Sequence, residues 1–212
     1  MVINNNAAAG TSAEVAKTRA LEIHEPRQGY GAAIQRGFHE NQCDLIFVCE
    51  PDDTFVPRDT LKFLSYIDDV DVVFGSRTEK FLIWESANMG WFLRFGNWAV
   101  AKLMEALYNT PPLTDVGCTF RLIRKEALAE IIHDFRVSTN FFGPEMMLLT
   151  RWKRLTFLQI PINYKDRVGT SSVTGDFSKA FRLGLRMIWL ILTFRFLGYP
   201  RGTRRSRTCK TA

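Results

Sequence analysis

The stretch Ile46-Phe47-Val48-Cys49-Glu50-Pro51-Asp52-Asp53-Thr54 decides the fold class. An apolar run of strand length ends abruptly in a proline and three carboxylates. Such a strand end can hold a hard divalent cation, because these ions take oxygen ligands. Open α/β sheets bind their ligands beyond the C-terminal ends of the strands. The stretch therefore indicates a metal-assisted site, although a solvated turn built from Pro and Asp explains these nine residues equally well.

Strand-like and helix-like segments alternate on both sides of this stretch. We predict strands near 1–3, 21–23, 45–49, 70–74, 118–123 and 155–164, and helices from 11 and over 31–38, 60–67, 91–108, 125–132 and 141–152. Thr11 with Glu14 three residues later predicts a capping box. This alternation is typical of an α/β protein with a parallel, doubly wound sheet. Without an internal repeat, residues 1–175 are predicted to form one domain.

The composition argues against a zinc site and favours a cytoplasmic location. Three scattered histidines and four cysteines without metal-ligand spacing argue against a zinc site. We see no signal peptide and no apolar run of the roughly 20 residues needed to cross a bilayer. We therefore expect a cytoplasmic protein with reduced thiols. The net charge is +6, and Arg and Lys are crowded into the last third of the chain, from Arg151 to Lys210, which favours an anionic partner.

The C-terminal segment differs from the rest of the chain. Residues 176–198 place apolar side chains at helical spacing, interrupted by Lys179, Arg182, Arg186 and Arg195. A basic amphipathic helix of this kind can lie in a membrane interface, peripheral on the inner face. The alternative is a helix packed on the protein's own sheet. Residues 199–212 are predicted to be a disordered basic tail.

Four polar motifs accompany the acidic strand end. Gly29 and Gly31 open a helix and can bring backbone N–H groups to a phosphate, although an ordinary turn explains them too. The second motif, at 75–77, ends the next predicted strand, and the third lies at 115–121. The fourth, at 164–172, is a loop that can close over a substrate. The four segments are 27–33, 75–77, 115–121 and 164–172.

The order of these motifs resembles the family 2 glycosyltransferases, in particular the dolichyl- or polyprenyl-phosphate mannosyltransferases. The resemblance covers about residues 1–175. It implies a GT-A sandwich with a mostly parallel central sheet. It also implies inverting sugar transfer from a GDP- or UDP-linked donor with Mg²⁺ or Mn²⁺. A lipid phosphate acceptor at a membrane surface is the implied partner, and a nucleic acid is not.

The resemblance also implies roles for individual residues. Asp52 would be the main metal ligand, with Glu50 and Thr54 supporting it. Arg77 and Arg94 would face the acceptor phosphate, and Arg167 and Ser171 the donor diphosphate. The remaining implied substrate-binding residues are Arg27, Gly29, Gly31 and Arg121, and Thr119 replaces the family's usual glycine. A lipid phosphate acceptor needs no general base, whereas a hydroxyl acceptor would need Asp115 or Glu145.

Two departures from the family pattern leave an alternative open. The chain is expected to start at the family's second strand, so that its first strand–helix unit is missing and a sheet edge is exposed. Asn4, Asn5 and Asn6 stand where the family carries acids. The alternative is therefore a truncated, non-catalytic remnant or a scaffold of the same fold. A nucleotidyltransferase fits the motifs less well, and the oligomeric state is left open.

Overall fold

The structure is a computed structural model that describes residues 1–83, 91–168 and 177–198, without the side chains of 91–93 and 177. Within these ranges six strands alternate with seven α-helices. They are β1 Val2–Asn4, α1 Thr11–Val15, β2 Glu22–His24, α2 Tyr30–Glu40, β3 Leu45–Val48, α3 Thr60–Leu64, β4 Val72–Ser76, α4 Trp91–Tyr108, β5 Arg121–Arg124, α5 Lys125–Ile131, α6 Phe142–Trp152, β6 Phe157–Pro161 and α7 Phe177–Phe196. Each corresponds to a segment predicted from the sequence.

The strands form two sheets. The larger has the order β3-β5-β4-β6, in which β5 is antiparallel to both β3 and β4, and β4 is parallel to β6. Three of its strands therefore run in one direction and β5 in the other. The smaller sheet pairs β1 with β2 in parallel. The predicted parallel arrangement holds for β3, β4 and β6, but the antiparallel strand β5 lies between β3 and β4.

The larger sheet is buried on both faces. Val72 and Phe74 of β4 belong to a core cluster with α2 and α4 to α7, whereas Val73 belongs to a second cluster with Phe63 of α3. Successive strand residues point to opposite faces, so one strand supplies both cores. The result is a three-layer sandwich, whose strand ends are left free to carry polar groups.

Helix α7 packs against α4 and α6 through one face only. Met187, Leu190, Ile191 and Phe194 on that face are buried, and the Tyr108 hydroxyl donates to the backbone oxygen of Ile191 at 2.8 Å. The opposite face exposes five large apolar side chains: Phe181, Leu185, Trp189, Leu192 and Phe196. One face of α7 thus packs on the protein's own domain, as the alternative prediction has it, and the opposite face exposes an apolar stripe. No helix among the described residues is both long and apolar enough to span a membrane.

Two local predictions are wrong. The capping box at α1 is absent because Gly10, at φ 94°, occupies the N-cap, and Glu14 instead forms an ion pair with Lys17. The helix expected over 60–67 begins at Thr60 as predicted, after a 3₁₀ turn over Pro57–Asp59, but α3 ends early at Leu64. The tail at 199–212 lies outside the described residues.

Candidate functional site

The loop after β3 brings the two acids of the Glu50-Pro51-Asp52 motif to one cation. The Arg167 guanidinium contacts the Glu50 carboxylate, and its Nη2 lies 2.8 Å from Oδ2 of Asp52. The loop that carries Arg167 is held there by its backbone. The Lys165 N–H donates to the oxygen of Thr54, and the Val168 N–H donates to that of Asp52, each at 2.9 Å. Residues 164–168, the described part of the predicted 164–172 loop, therefore lie against the acidic motif.

Asp52 is oriented by Thr54. The Thr54 hydroxyl and backbone N–H donate to Oδ1 of Asp52 at 2.6 and 3.1 Å. Burial opposes ionisation of Asp52, but these bonds outweigh it and lower the pKa of the carboxyl. Thr54 is itself only 1% exposed. Its hydroxyl is thus engaged with Asp52, an arrangement that suits orienting a metal ligand better than being one.

Glu50 is held by a short chain of hydroxyl groups. The Thr119 hydroxyl donates to Oε1 of Glu50 at 2.9 Å, and the Tyr30 hydroxyl donates to Thr119 at 2.9 Å. Burial raises the pKa of Glu50 despite the nearby Arg167 charge. Sequence reasoning recorded Thr119 only as a departure from the family and overlooked Tyr30. No local signal reveals either, since they lie 89 residues apart in the chain.

The donor set fits a hard divalent cation that shares its coordination with a substrate. Among the described residues no group of three or more His, Cys, Asp or Glu side chains could hold a metal alone. Mg²⁺ in phosphate-transfer sites is commonly bound by one or two carboxylates, with water and phosphate completing the shell. Oδ2 of Asp52 is buried, and within the described part of the chain its charged partner is Nη2 of Arg167 at 2.8 Å. The residues therefore fit the predicted Mg²⁺ or Mn²⁺.

Arg77 and Asp115 are committed to each other. The backbone N–H, Nε and Nη2 of Arg77 donate to the Asp115 carboxylate at 2.8 to 3.1 Å, and the Gly117 N–H adds a fourth bond at 2.8 Å. Asp115 is fully buried. Burial opposes its ionisation, but Arg77 outweighs this and lowers its pKa. A carboxylate with four donors and a lowered pKa does not fit the role of general base.

Arg121 is turned into the protein. Its guanidinium donates to the backbone oxygens of Cys118, Gly143 and Val116 at 2.8, 2.9 and 3.3 Å, and the residue is 3% exposed. Burial lowers its pKa. Arg121 thus ties the segment before β5 to the start of α6. This placement is not that of a substrate contact, because an interior arginine spends its donors on protein carbonyls.

Glu145 is also engaged by the backbone. Its two carboxylate oxygens accept the N–H groups of Arg136 and Val137 at 3.0 and 2.9 Å. Burial raises its pKa to about 7, although these bonds favour the charged form. The carboxylate therefore fixes the loop at Arg136 and Val137.

That loop covers the glycine-rich start of α2. The Ala32 N–H donates to the oxygen of Ser138 at 3.0 Å. A side chain at Gly29 would lie 2.2 Å from that oxygen, and one at Gly31 would lie 2.4 Å from the oxygen of Val137. The two glycines are therefore required by close backbone packing. The predicted phosphate cradle is partly occupied, because the Ala32 N–H already has a protein acceptor.

The other predicted residues are spread around this centre. Arg27 is exposed, and its backbone oxygen accepts the Asn5 side-chain amide, whose oxygen in turn accepts the Gly29 N–H. Arg94 is partly exposed on α4. Ser171 lies outside the described residues. The structure thus brings together Glu50, Asp52 and Arg167, and it adds connections that the sequence did not show.

Residues 1–132 match the model of the family described as Glycosyl transferase family 2. The chain belongs to that family. This family 2 glycosyltransferase is 27% identical over 159 residues to a dolichyl-phosphate hexose transferase of Haloferax volcanii, covering 74% of this chain and 66% of that protein. It is 24% identical to an uncharacterized glycosyltransferase of Mycobacterium tuberculosis, over 91% of this chain and 85% of the relative. These matches confirm the predicted family and its class of enzyme, the hexosyltransferases.

Solved structures support the predicted fold of this family 2 glycosyltransferase. Glucosyl-3-phosphoglycerate synthase from Mycobacterium tuberculosis, in complex with phosphoglyceric acid, aligns with a TM-score of 0.66 at 12% identity, over 95% of this chain and 70% of that one. The same synthase with Mn²⁺ and UDP-glucose aligns with a TM-score of 0.65 at 13% identity, over 95% and 69%. At such identities the likeness shows the fold alone, and the GT-A prediction is confirmed.

Proposed function

We propose that this glycosyltransferase moves a hexosyl group, with inversion, from a GDP- or UDP-linked donor to a polyprenyl phosphate at a membrane surface. The observation that carries the proposal is the convergence of Glu50, Asp52 and Arg167 at the end of β3. Two acids and one guanidinium in a partly buried loop form a site that can bind both a divalent cation and an anionic diphosphate.

At the donor side, each residue has a role that its contacts support. Asp52, held ionised by Thr54, would be the principal ligand of Mg²⁺ or Mn²⁺, with Glu50 beside it. When bound, the metal would supply Lewis acidity to the leaving nucleoside diphosphate. Arg167 would pair with a diphosphate oxygen, because a guanidinium suits phosphate as well as carboxylate.

The state of the two candidate bases supports an acceptor that is already anionic. Asp115 has four donors, and Glu145 has both oxygens bound to backbone N–H groups. A hydroxyl acceptor must lose a proton to a free base, whereas a phosphate acceptor at neutral pH need not. Positioning and charge neutralisation would then supply most of the rate.

The exposed stripe of α7 supports a membrane location. Phe181, Leu185 and Trp189 project from a helix whose opposite face is buried in the domain. Lys179, Arg182 and Arg186 interleave with them and can contact anionic headgroups. The relative named for a dolichyl phosphate is in keeping with this acceptor. We propose that the protein is peripheral on the cytoplasmic face.

Purified protein with radiolabelled UDP- or GDP-hexoses and Mn²⁺ tests the proposal. Polyprenyl phosphate in detergent micelles should be labelled, whereas 3-phosphoglycerate and a simple alkyl alcohol should not. The 3-phosphoglycerate arm is included because the solved structures named above are of a phosphoglycerate-glycosylating synthase. Labelling of a soluble acceptor alone would refute the lipid assignment. If calorimetry also showed no binding of UDP or GDP with Mn²⁺, the remnant or scaffold alternative would replace it.

A further inference from the structure

Three arginine side chains line one small cavity at the C-terminal end of α7. Arg151 lies in the last turn of α6, Arg154 follows that helix, and Arg195 lies in the last turn of α7. The cavity has a volume of about 190 Å³, and three aromatic residues complete its lining: Tyr108, Trp152 and Phe194. Among the described residues no carboxylate lines it. The cavity therefore combines positive charge with an aromatic wall.

The positive charge of this arginine cavity is not neutralised by the protein around it. Nε of Arg151 donates to the backbone oxygen of Tyr108 at 2.9 Å. Within the described part of the chain the side chains of Arg154 and Arg195 form neither a hydrogen bond nor an ion pair. The acid that contacts this turn, Asp134, pairs with Lys153 at 2.7 Å instead. Guanidinium groups left in this way favour the binding of an anion.

The backbone does not call for an arginine at position 154. Arg154 follows the end of α6 with a left-handed φ of 60°, a position where helices usually carry Gly or Asn. The helix end is closed by backbone bonds, because the Leu155 N–H donates to the Thr150 oxygen at 3.0 Å and the Arg154 N–H to the Arg151 oxygen at 3.1 Å. The Arg154 side chain thus has no part in closing the helix, which leaves its guanidinium available to a ligand.

The arginine cavity is separate from the acidic motif. Strands β3, β4 and β6 run in one direction, since β5 is antiparallel to both β3 and β4, and β4 is parallel to β6. Glu50 follows the C-terminal end of β3, whereas Arg154 precedes the first residue of β6, Phe157. The two groups therefore lie at opposite edges of the larger sheet. An anion bound by the arginines is not the donor diphosphate.

The size and the surroundings of the cavity select the phosphate of a lipid. Pockets that enclose a whole small molecule usually have volumes of about 300–1,000 Å³. The smaller arginine cavity therefore suits one phosphate group rather than a nucleotide. Trp152 in its wall is 50% exposed, and directly after Arg195 come Phe196 and Leu197, which are 73% and 82% exposed. Acyl chains can cover these apolar side chains, whereas a free phosphate would leave them in water.

We propose that Arg151, Arg154 and Arg195 form a headgroup site for an anionic glycerophospholipid. The guanidinium groups bind the lipid phosphate, and the acyl chains leave the cavity past Phe196 and Leu197. The site fixes the C-terminal end of α7 at the membrane, at the edge of the sheet away from the acidic motif. This inference rests on the proposed membrane location of α7, but it does not depend on the sugar or on the acceptor.

Short-chain lipids test the site in the absence of a bilayer. Calorimetry measures the binding of dihexanoylphosphatidylglycerol, below the concentration at which it forms micelles, to the full chain. We expect one binding site, and at least about tenfold weaker binding of dihexanoylphosphatidylcholine and of inorganic phosphate. Equal binding of the phosphatidylcholine would refute selection by charge. Equal binding of inorganic phosphate would make the cavity a site for free phosphate and refute the lipid assignment.

A matched pair of double variants tests the residues. Arg154→Gln combined with Arg195→Gln removes two positive charges from the cavity, and Arg19→Gln combined with Arg58→Gln removes two from exposed positions elsewhere. We expect the first variant to bind dihexanoylphosphatidylglycerol about 30-fold more weakly, about fivefold for each charge removed, and the second to bind like the wild type. A first variant that melts at a lower temperature but binds the lipid as tightly would show that these arginines only stabilise helix ends, and would overturn the proposal.

Sedimentation with phosphatidylcholine–phosphatidylglycerol vesicles separates this inference from the proposed membrane location. If the wild type binds vesicles but not dihexanoylphosphatidylglycerol, the headgroup site is refuted and the membrane location stands. If it binds the short-chain lipid but not vesicles, the membrane location is refuted and the headgroup site stands. We expect the wild type to bind both, and the variant of Arg154 and Arg195 to lose affinity for both.

Discussion

Nη2 of Arg167 lies 2.8 Å from Oδ2 of Asp52, so a protein cation stands at the carboxylate predicted to bind the metal. The same guanidinium contacts Glu50. Coulomb interactions at such distances are substantial in a partly buried site. Arg167 therefore balances the charge of the two acids in this structure. Under the proposed function it would pair with the donor diphosphate when a metal ion is bound by the acids.

Replacing Arg167 should change the affinity for Mn²⁺ and the affinity for the nucleotide in opposite directions. In Arg167→Gln the two acids lose a competing cation, so Mn²⁺ alone should bind more tightly. UDP or GDP in the presence of Mn²⁺ should bind more weakly, because a diphosphate contact is lost. Calorimetry measures both affinities. Lys165→Gln is the control, because Lys165 pairs with Asp53 at 2.8 Å. A change of the same sign in the two affinities of Arg167→Gln would contradict the role of Arg167 at the diphosphate.

Asp52 and its neighbour Asp53 allow a matched comparison. Asp52→Asn should lower Mn²⁺-dependent transfer by on the order of 100-fold, because an amide is a weak ligand for a hard cation. Asp53→Asn should change it little, since Asp53 is 57% exposed, and its positive φ of 62° is tolerated by Asn. Steady-state kinetics at varied Mn²⁺ distinguishes them. Similar losses in both variants would place the metal elsewhere in the loop.

Asp115→Asn should act on stability. The change leaves Arg77, whose side chain is 15% exposed, without its counter-charge, and loss of one partner of a buried pair typically costs about 3–5 kcal/mol. For a chain of this size the melting temperature should fall by roughly 10 °C. Differential scanning calorimetry measures the shift. An unchanged melting temperature with abolished transfer would instead show that Asp115 acts as the general base.

Glu145 should make stability fall as the pH rises. Its pKa is about 7 in the folded protein and about 4.5 in the unfolded chain, so the native state holds the proton more tightly. The contribution of Glu145 to the free energy of unfolding is fully present below about pH 4.5 and is lost as the pH rises through about 7. This contribution is about 3 kcal/mol. Urea unfolding of the wild type and Glu145→Gln across pH 5 to 8 checks this. The slope should be reduced in the variant, and equal slopes would assign the effect to other groups.

Trp189 should contribute to membrane binding without contributing to the fold. It is 66% exposed on α7, and Tyr66 on the opposite side of the sheet is 45% exposed. Trp189→Ser should weaken sedimentation with phosphatidylcholine–phosphatidylglycerol vesicles by at least about tenfold, whereas Tyr66→Ser should not. Both proteins should melt near the wild-type temperature. Undiminished vesicle binding in Trp189→Ser would remove α7 from the membrane contact.

Local patterns in the sequence were sufficient to determine the elements and the position of the acidic motif. The apolar run before Glu50 indicated a strand, which the structure shows as β3 with Ile46 buried. Residues 176–198 carried helical periodicity, and the structure shows α7 over Phe177–Phe196. Strand and helix identity depend on neighbours a few residues apart, which one sequence displays in full. The acids after this strand indicated a site at the sheet edge, whereas the choice of Asp52 as the main metal ligand came from the family resemblance.

Tertiary structure alone decided how the polar residues are used. Arg77, Asp115, Arg121 and Glu145 resemble site residues in the sequence, yet each is engaged by a protein group in the interior. The Tyr30–Thr119–Glu50 chain of hydrogen bonds likewise arises from contacts between distant segments. A buried charge must find partners wherever the fold supplies them. Those partners depend on packing across the whole chain, which sequence spacing does not encode.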